Sequence, residues 1–127
     1  MNPVKAFAGV FGAVYLLVGV VGFAVTGASQ QTHQLLGLFD LNALHNVVHI
    51  AIGALGLAAY AGGVSVARSY ALGLAVVYAV VAVAGFLPQQ FLGIIPIGGA
   101  DIALHTGTAV VALAAFMASR QPTVRTA

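Results

Sequence analysis

Four long apolar segments limit what this chain can fold into. They span residues of about 6–25, 42–62, 70–87 and 100–119, and none contains Lys, Arg or Glu. As a helix, each is long enough to cross a bilayer core that needs about 20 apolar residues. Charged residues make up only 5% of the chain and its mean hydropathy is +1.09, whereas about a quarter of a soluble domain is charged. The sequence therefore predicts an all-α integral membrane four-helix bundle, with residues 1–127 as a single transmembrane domain.

The two halves of the chain resemble each other. Residues 36–61 align without a gap on residues 92–117 at an offset of 105 − 49 = 56, which pairs His49 with His105. This alignment predicts two tandem helical-hairpin repeats related by an axis along the membrane normal. The second and fourth helices then run parallel.

The first apolar segment also has an internal counterpart. Residues 11–23 align on residues 74–86 at an offset of 78 − 15 = 63, with Tyr15 over Tyr78. An apolar run after Lys5 could otherwise be taken for a signal peptide. The pairing indicates instead that this segment is a retained helix.

The positive charges fall on one side of the four-span layout. Lys5 precedes the first span, Arg68 lies between the second and third, and Arg120 and Arg125 follow the fourth. The other two connections hold no Lys or Arg. By the positive-inside rule, we expect a bacterial cytoplasmic membrane protein with both termini cytoplasmic. The net charge of +2 is then an orientation signal, and it gives no reason to expect a nucleic-acid partner.

The connections on the opposite side, 26–41 and 88–99, are rich in turn-forming residues. We expect them to lie at the membrane interface as short amphipathic pieces. Asp40 and Asn42 are candidate N-caps of the second helix. Asp101 lies where a carboxylate meets the positive end of the fourth helix.

Two pairs of polar side chains lie near the starts of the second and fourth helices. His45 and His49 are four residues apart, as are Asp101 and His105, so each pair lies on one helical face. Parallel helices present these pairs at the same depth. His49 and His105 would lie ~10 Å below the membrane boundary, where an unpaired imidazole is costly. These rings must therefore hydrogen-bond or coordinate something.

One interpretation of this cluster is structural, because intramembrane polar side chains often do no more than hydrogen-bond between helices. Such bonds would fix the register of the two hairpins. They would involve His45, Asn46, His49, Asp101, His105 and Thr108.

A second interpretation is a metal site. The imidazoles of His45, His49 and His105 with the carboxylate of Asp101 suit zinc, iron or copper, and a bundle core is a known place for such ligands. A haem b held axially by His49 and His105 is a variant of this idea, although no Lys or Arg lies on that side to bind the propionates. The chain has no cysteine, which excludes thiolate ligands and disulfides.

At these residues the chain also resembles a known family. The resemblance lies in Leu-Leu-Gly-Leu-Phe (35–39), in Leu-His-Asn-Val-Val-His (44–49) with Gly53 and Leu57 after it, and in Ile-Pro-Ile (95–97) leading into Ala-Asp-Ile-Ala-Leu-His (100–105). These elements are similar to an uncharacterised bacterial membrane family, a domain of unknown function with four predicted transmembrane helices. The resemblance implies that His45, Asn46, His49, Asp101 and His105 occupy motif positions. Ile102 and Ala103 stand where family members often have a polar or aromatic pair, and no activity is implied.

The sequence favours a structural or accessory membrane component over an enzyme. No nucleophile paired with a base and no phosphate-binding loop is visible, and nothing continues a transport or proton path beyond Tyr15 and Tyr78, which we expect to pack between helices. The expected partners are the lipid bilayer and either a larger membrane complex or further copies of the chain. The alternative is a metal- or haem-binding membrane protein that uses the same cluster.

Overall fold

The apolar segments form the helices of an antiparallel bundle. The computed structural model describes residues 2–87 and 94–119. Within those ranges lie the helices α1 (Pro3–Thr26), α2 (Ala43–Ala61), α3 (Val64–Ala84) and α4 (Ala100–Ala118). All four are long and apolar enough to cross a membrane. α1 packs along α2 and α3 packs along α4, and the two hairpins meet through contacts of α1 with α3, of α2 with α3 and of α1 with α4. The predicted all-α membrane four-helix bundle is confirmed.

Helix α3 begins at Val64, about six residues before the start expected from the sequence. The expectation excluded Arg68 from the span because of its charge. In the structure Arg68 lies inside the helix, where its Nη1 donates to the carbonyl oxygen of Phe116 at 2.8 Å. The turn between α2 and α3 is therefore only Gly62 and Gly63, and Gly63 has a φ of 93° that favours glycine. Arg120 and Arg125 lie outside the described residues.

Helices α1 and α2 approach closely through glycines. A Cβ placed on Gly56 would lie 2.7 Å from the Cα of Gly12, and one on Gly53 would collide with the backbone nitrogen of Leu16. Lipid gives helices no hydrophobic reason to associate, so close van der Waals contact between backbones is a main source of their attraction. The glycines of the sequence serve this packing.

Aromatic residues that are equivalent in the repeat contact each other between α1 and α3. The rings of Phe7 and Tyr70 lie 6.3 Å apart and those of Tyr15 and Tyr78 lie 5.5 Å apart. In both pairs the partners are repeat equivalents, since 70 − 7 = 63 and 78 − 15 = 63. Contacts between equivalent residues are what a pseudo-two-fold axis between α1 and α3 produces.

The cations near the α2–α3 turn follow the same repeat. Lys5 Nζ lies 5.0 Å from the centroid of the Tyr60 ring, and the Arg68 guanidinium lies 4.3 Å from that of Phe116. The offsets are 68 − 5 = 63 and 116 − 60 = 56. Each hairpin thus places one cation over one aromatic ring, at the same end of the bundle.

The opposite end of the bundle carries a short β-hairpin. Strands β1 (His33–Leu35) and β2 (Phe39–Leu41) pair antiparallel, with His33 opposite Leu41. Gly37 in the connecting turn has a φ of 68°. This hairpin replaces the amphipathic pieces expected for the first of the two connections. In the second, residues 88–93 lie outside the described residues.

Of the two residues expected to cap α2, Asn42 and Asp40, only Asn42 is its N-cap. The Asn42 side-chain oxygen accepts a hydrogen bond from the backbone N–H of His45 at 2.9 Å, which is N-capping geometry. Asp40 was also expected to cap this helix, and that prediction is wrong. It lies in β2, where its Oδ1 accepts from Gln34 Nε2 at 3.2 Å, because the hairpin continues to Leu41.

Candidate metal centre

Three buried histidines converge at the end of the bundle that carries the β-hairpin. His45 and His49 extend from α2 and His105 extends from α4, and they are 3%, 4% and 3% exposed. Each offers one ring nitrogen such that all three nitrogens lie within 4.8 Å of one another. The structure therefore brings together three of the four predicted metal ligands.

The ring of His45 is held in one orientation. Its Nδ1 lies 3.1 Å from the carbonyl oxygen of Asp40. Since a carbonyl can only accept, Nδ1 carries the hydrogen. In the neutral ring Nε2 then has a free lone pair, which can bind a metal ion. A backbone carbonyl on the second nitrogen is the arrangement that orients metal-binding histidines.

The other two rings lack such partners. Both ring nitrogens of His49 and Nδ1 of His105 are buried without a hydrogen-bond partner among the described residues. An unsatisfied buried donor or acceptor costs about 1–3 kcal/mol. Buried polar atoms without a hydrogen-bond partner require an explanation, and a bound ion or water molecule is a common one.

Two tyrosines form the floor of the cluster. Tyr15 contacts His49 edge-on at 5.3 Å between ring centroids, and Tyr78 contacts His105 at 5.0 Å. The hydroxyl of Tyr15 is hydrogen-bonded to Thr108 Oγ1 at 3.0 Å. Both tyrosines were expected only as packing groups. The internal repeat pairs the two tyrosines at an offset of 63 and His49 with His105 at an offset of 56, and this shared repeat could have placed the tyrosines beside the histidines.

Asp101, the fourth predicted ligand, lies outside this three-histidine group. It is 2% exposed, and its Oδ2 accepts from the backbone N–H of Asp40 at 3.2 Å. The peptide groups of Asp40 therefore connect both hairpins, since its carbonyl accepts from His45 on α2 while its N–H donates to Asp101 on α4. The sequence did not indicate this backbone link.

Asn46 is buried in another place. Its Nδ2 donates to Thr26 Oγ1 at 2.8 Å, which joins α2 to α1 within the first hairpin. Among the described residues, four of the six side chains expected to form one network, those of Thr108, Asp101, His45 and Asn46, instead hydrogen-bond separately to other groups. The histidines are left without bonds to one another.

The spacing of the three nitrogens suits a small ion. Metal–nitrogen distances of about 2.0–2.1 Å place the donors of a tetrahedral site about 3.3 Å apart. From the present separation, a contraction of no more than about 1.5 Å completes such a site. Imidazole is a ligand for zinc, copper, iron and nickel.

A cavity of about 80 Å³ adjoins the histidines. Besides the three rings and Tyr78, its walls are aliphatic: Val48, Ile52, Val77, Val81, Ile95 and Ile97. Pockets for drug-sized ligands measure about 300–1,000 Å³, so a haem macrocycle does not fit here. Of the two cofactors considered, only a bare ion matches the available space.

Comparison with known proteins adds a family. A family model described as a domain of unknown function (DUF4383) matches residues 5–118. No curated protein and no solved structure matches the chain. The matched range extends from the first turn of α1 to the end of α4 and includes all three histidines.

Proposed function

The chain belongs to this family, DUF4383, and from the geometry of its site we propose that it is a membrane protein that binds one transition-metal ion through His45, His49 and His105. The observation that carries the proposal is the unpartnered imidazole of His49, 4% exposed and beside two further imidazoles. A coordinated ion would give these rings the partners that the protein does not.

A purely structural role for the histidines has less support. The bonds that tie helices together are made by other groups: Tyr15 to Thr108, and Asp101 to the backbone of Asp40. Of the histidine ring nitrogens, Nδ1 of His45 makes the one hydrogen bond found among the described residues. These bonds support a register held by Tyr15, Thr108 and Asp101, with the three imidazole rings left for a ligand.

We further propose that the protein binds its metal ion without catalysing a reaction, and that it acts as an accessory protein in a bacterial cytoplasmic membrane. The described segments outside the four helices amount to the β-hairpin and short connections, so most of the described surface that a partner could contact belongs to the helices in the bilayer. A larger membrane complex and a homo-oligomer both fit this surface. Purification in a mild detergent as a lone monomer, with nothing co-purifying, would count against the accessory role.

The metal proposal is tested by titration of the protein in lipid nanodiscs with Co²⁺, whose visible absorption reports coordination. We expect one Co²⁺ per chain in the wild type. Loss of an outer partner of a ligand typically costs 10–100-fold in affinity, so His49→Ala and His105→Ala, which remove ligands, should weaken binding by at least about 100-fold.

The matched control is His33→Ala, since this histidine lies in β1 and outside the three-histidine group. It should bind Co²⁺ as the wild type does. Equal binding in His33→Ala, His49→Ala and His105→Ala would overturn the proposal, as would a wild type that binds neither Co²⁺ nor Zn²⁺ nor Cu(I).

A further inference from the structure

The charges around the three histidines bear on which ion they hold. We infer that the ion is monovalent copper, Cu(I), bound by three imidazoles without a fourth protein ligand. This inference rests on the proposed function, because it names the metal of the same site. It goes beyond that proposal by excluding Zn²⁺ as the preferred ion.

The first argument is charge balance. Imidazole ligands are neutral, and the side chains of the chain include two carboxyl groups, those of Asp40 and Asp101. Asp40 is partly exposed and hydrogen-bonded to Gln34, so solvent screens its charge. Asp101 is 2% exposed and connected to His45 through the backbone of Asp40. The interior therefore offers at most one negative charge, which balances one positive charge and leaves a divalent ion half neutralised.

The second argument is the cost of burial. The solvation energy that an ion loses on entering a medium of low dielectric constant rises with the square of its charge, so a divalent ion loses about four times as much as a monovalent one. Sites for Zn²⁺ offset this loss with thiolates or carboxylates, or with a bound water that is open to solvent. No thiolate exists in this chain, and the three-histidine group contains no carboxylate.

The third argument is coordination number. Zn²⁺ takes four ligands in almost all protein sites, whereas Cu(I), a monovalent ion with a filled d shell, is stable with three ligands, and imidazole is among the ligands that suit copper. Beside the histidines lies the 80 Å³ cavity, with aliphatic walls apart from Tyr78. A neutral phenol is a weak ligand for Cu(I), and valine and isoleucine provide no donor atom. The cavity therefore suits an ion that requires no further ligand beyond the three imidazoles.

The test compares two ions on the same protein in nanodiscs. Under anaerobic conditions, Cu(I) is titrated against a chromophoric Cu(I) chelator of known affinity, and Zn²⁺ against a fluorescent Zn²⁺ chelator. We expect one Cu(I) per chain, bound at least about 100-fold more tightly than Zn²⁺, and an X-ray absorption spectrum with three nitrogen neighbours. His33→Ala should match the wild type in both titrations, and His49→Ala should lose Cu(I).

A charge-adding variant sharpens the comparison. His45→Asp leaves two imidazoles and supplies a carboxylate as the third ligand, the donor set of several zinc enzymes. It also copies the residue that the repeat has at Asp101. We expect its preference to move toward Zn²⁺ by at least about tenfold relative to the wild type.

The outcomes separate this inference from the proposed function. Binding of Zn²⁺ that depends on His49 and is tighter than that of Cu(I) would overturn the inference and leave the metal site standing. The same holds if His45→Asp leaves the preference unchanged. A wild type that binds neither Cu(I), Zn²⁺ nor Co²⁺ would overturn both.

Discussion

At His49, the interior of the protein holds an imidazole whose two nitrogens have no partner among the described residues. Replacing it with an apolar side chain of similar size, as in His49→Leu, removes this unsatisfied polar group. We therefore expect the metal-free variant to gain about 1–3 kcal/mol in free energy of unfolding. The stabilisation that Co²⁺ gives the wild type by binding the folded state should be absent.

Thermal unfolding in detergent, with and without Co²⁺, measures both effects for His49→Leu. The ring of Tyr15, which packs edge-on against His49, can pack against leucine as well. If the metal-free variant unfolds several degrees below the wild type, His49 makes a stabilising contact in the protein itself, and the assignment of its ring to a ligand fails.

How far the site could be predicted depended on which side of a helix faces its neighbour. The four-residue spacing placed His45 with His49 and Asp101 with His105, and in the structure all four are buried. The spacing could not show that Asp101 is bonded to a backbone N–H, because Asp40 is brought there by a β-hairpin. Nor could it show that Asn46 is bonded within its own hairpin, since that depends on how α2 is rotated about its axis against α1.

Among the helices, the contact of α1 with α2 depends most on glycine. A Cβ on Gly53 would meet backbone atoms of α1, with the carbonyl oxygen of Gly12 at 2.7 Å and the nitrogen of Leu16 closer still. Backbone atoms cannot move aside without separating the helices. We expect Gly53→Ala to lower the free energy of unfolding by about 1–3 kcal/mol, the usual cost of overpacking.

Gly73→Ala is the matched control for Gly53→Ala. Gly73 also lies inside a helix, but a Cβ there would meet nothing within 4 Å. Relief of the glycine penalty should leave this variant as stable as the wild type or more stable by about 0.5–1 kcal/mol. Unfolding in SDS-containing mixed micelles compares the two, and an equal loss in both would show that the close contact of α1 with α2 does not stabilise the protein.

The helices were predictable because a bilayer imposes a length and an absence of charge, and both are visible in the chain. The start of α3 was misplaced where these rules met an exception. Arg68 lies inside α3. Its guanidinium donates to the carbonyl oxygen of Phe116, near the end of α4, and lies over the aromatic ring of the same residue. The β-hairpin was not predicted because its strands have three residues each, too few for an alternating pattern to show.

For the whole molecule, the repeat determines more than the topology. It pairs Tyr15 with Tyr78 and His49 with His105. Each hairpin therefore contributes one tyrosine and one histidine to the site, and these four rings are linked by contacts from one to the next. The third histidine breaks the symmetry, because its counterpart is Asp101. A pseudo-symmetric pair of hairpins thus yields a single asymmetric site, in which the axis relates His49 to His105 while His45 on α2 has the carboxyl group of Asp101 on α4 as its counterpart.

The orientation of the molecule in the bilayer can be measured with single cysteines, since the chain has none of its own. Lys5 and Arg68 lie near the α2–α3 turn, and from the positive-inside rule we expect that end to face the cytoplasm. Leu36, 80% exposed in the β-hairpin, lies at the opposite end, whereas Ser65 is exposed at the start of α3.

We therefore expect a membrane-impermeant maleimide to label Leu36→Cys in intact cells and to label Ser65→Cys only after the membrane is opened. Each cysteine is the other's control for reactivity, since both should react equally in detergent. The reverse pattern would place the metal site on the cytoplasmic side, where Cu(I) would reach it from the cell interior. Labelling of both in intact cells would contradict a bundle whose hairpins cross the bilayer. The expected pattern places the three histidines near the outer surface, so an ion supplied from outside the cell would reach them without crossing the hydrocarbon core.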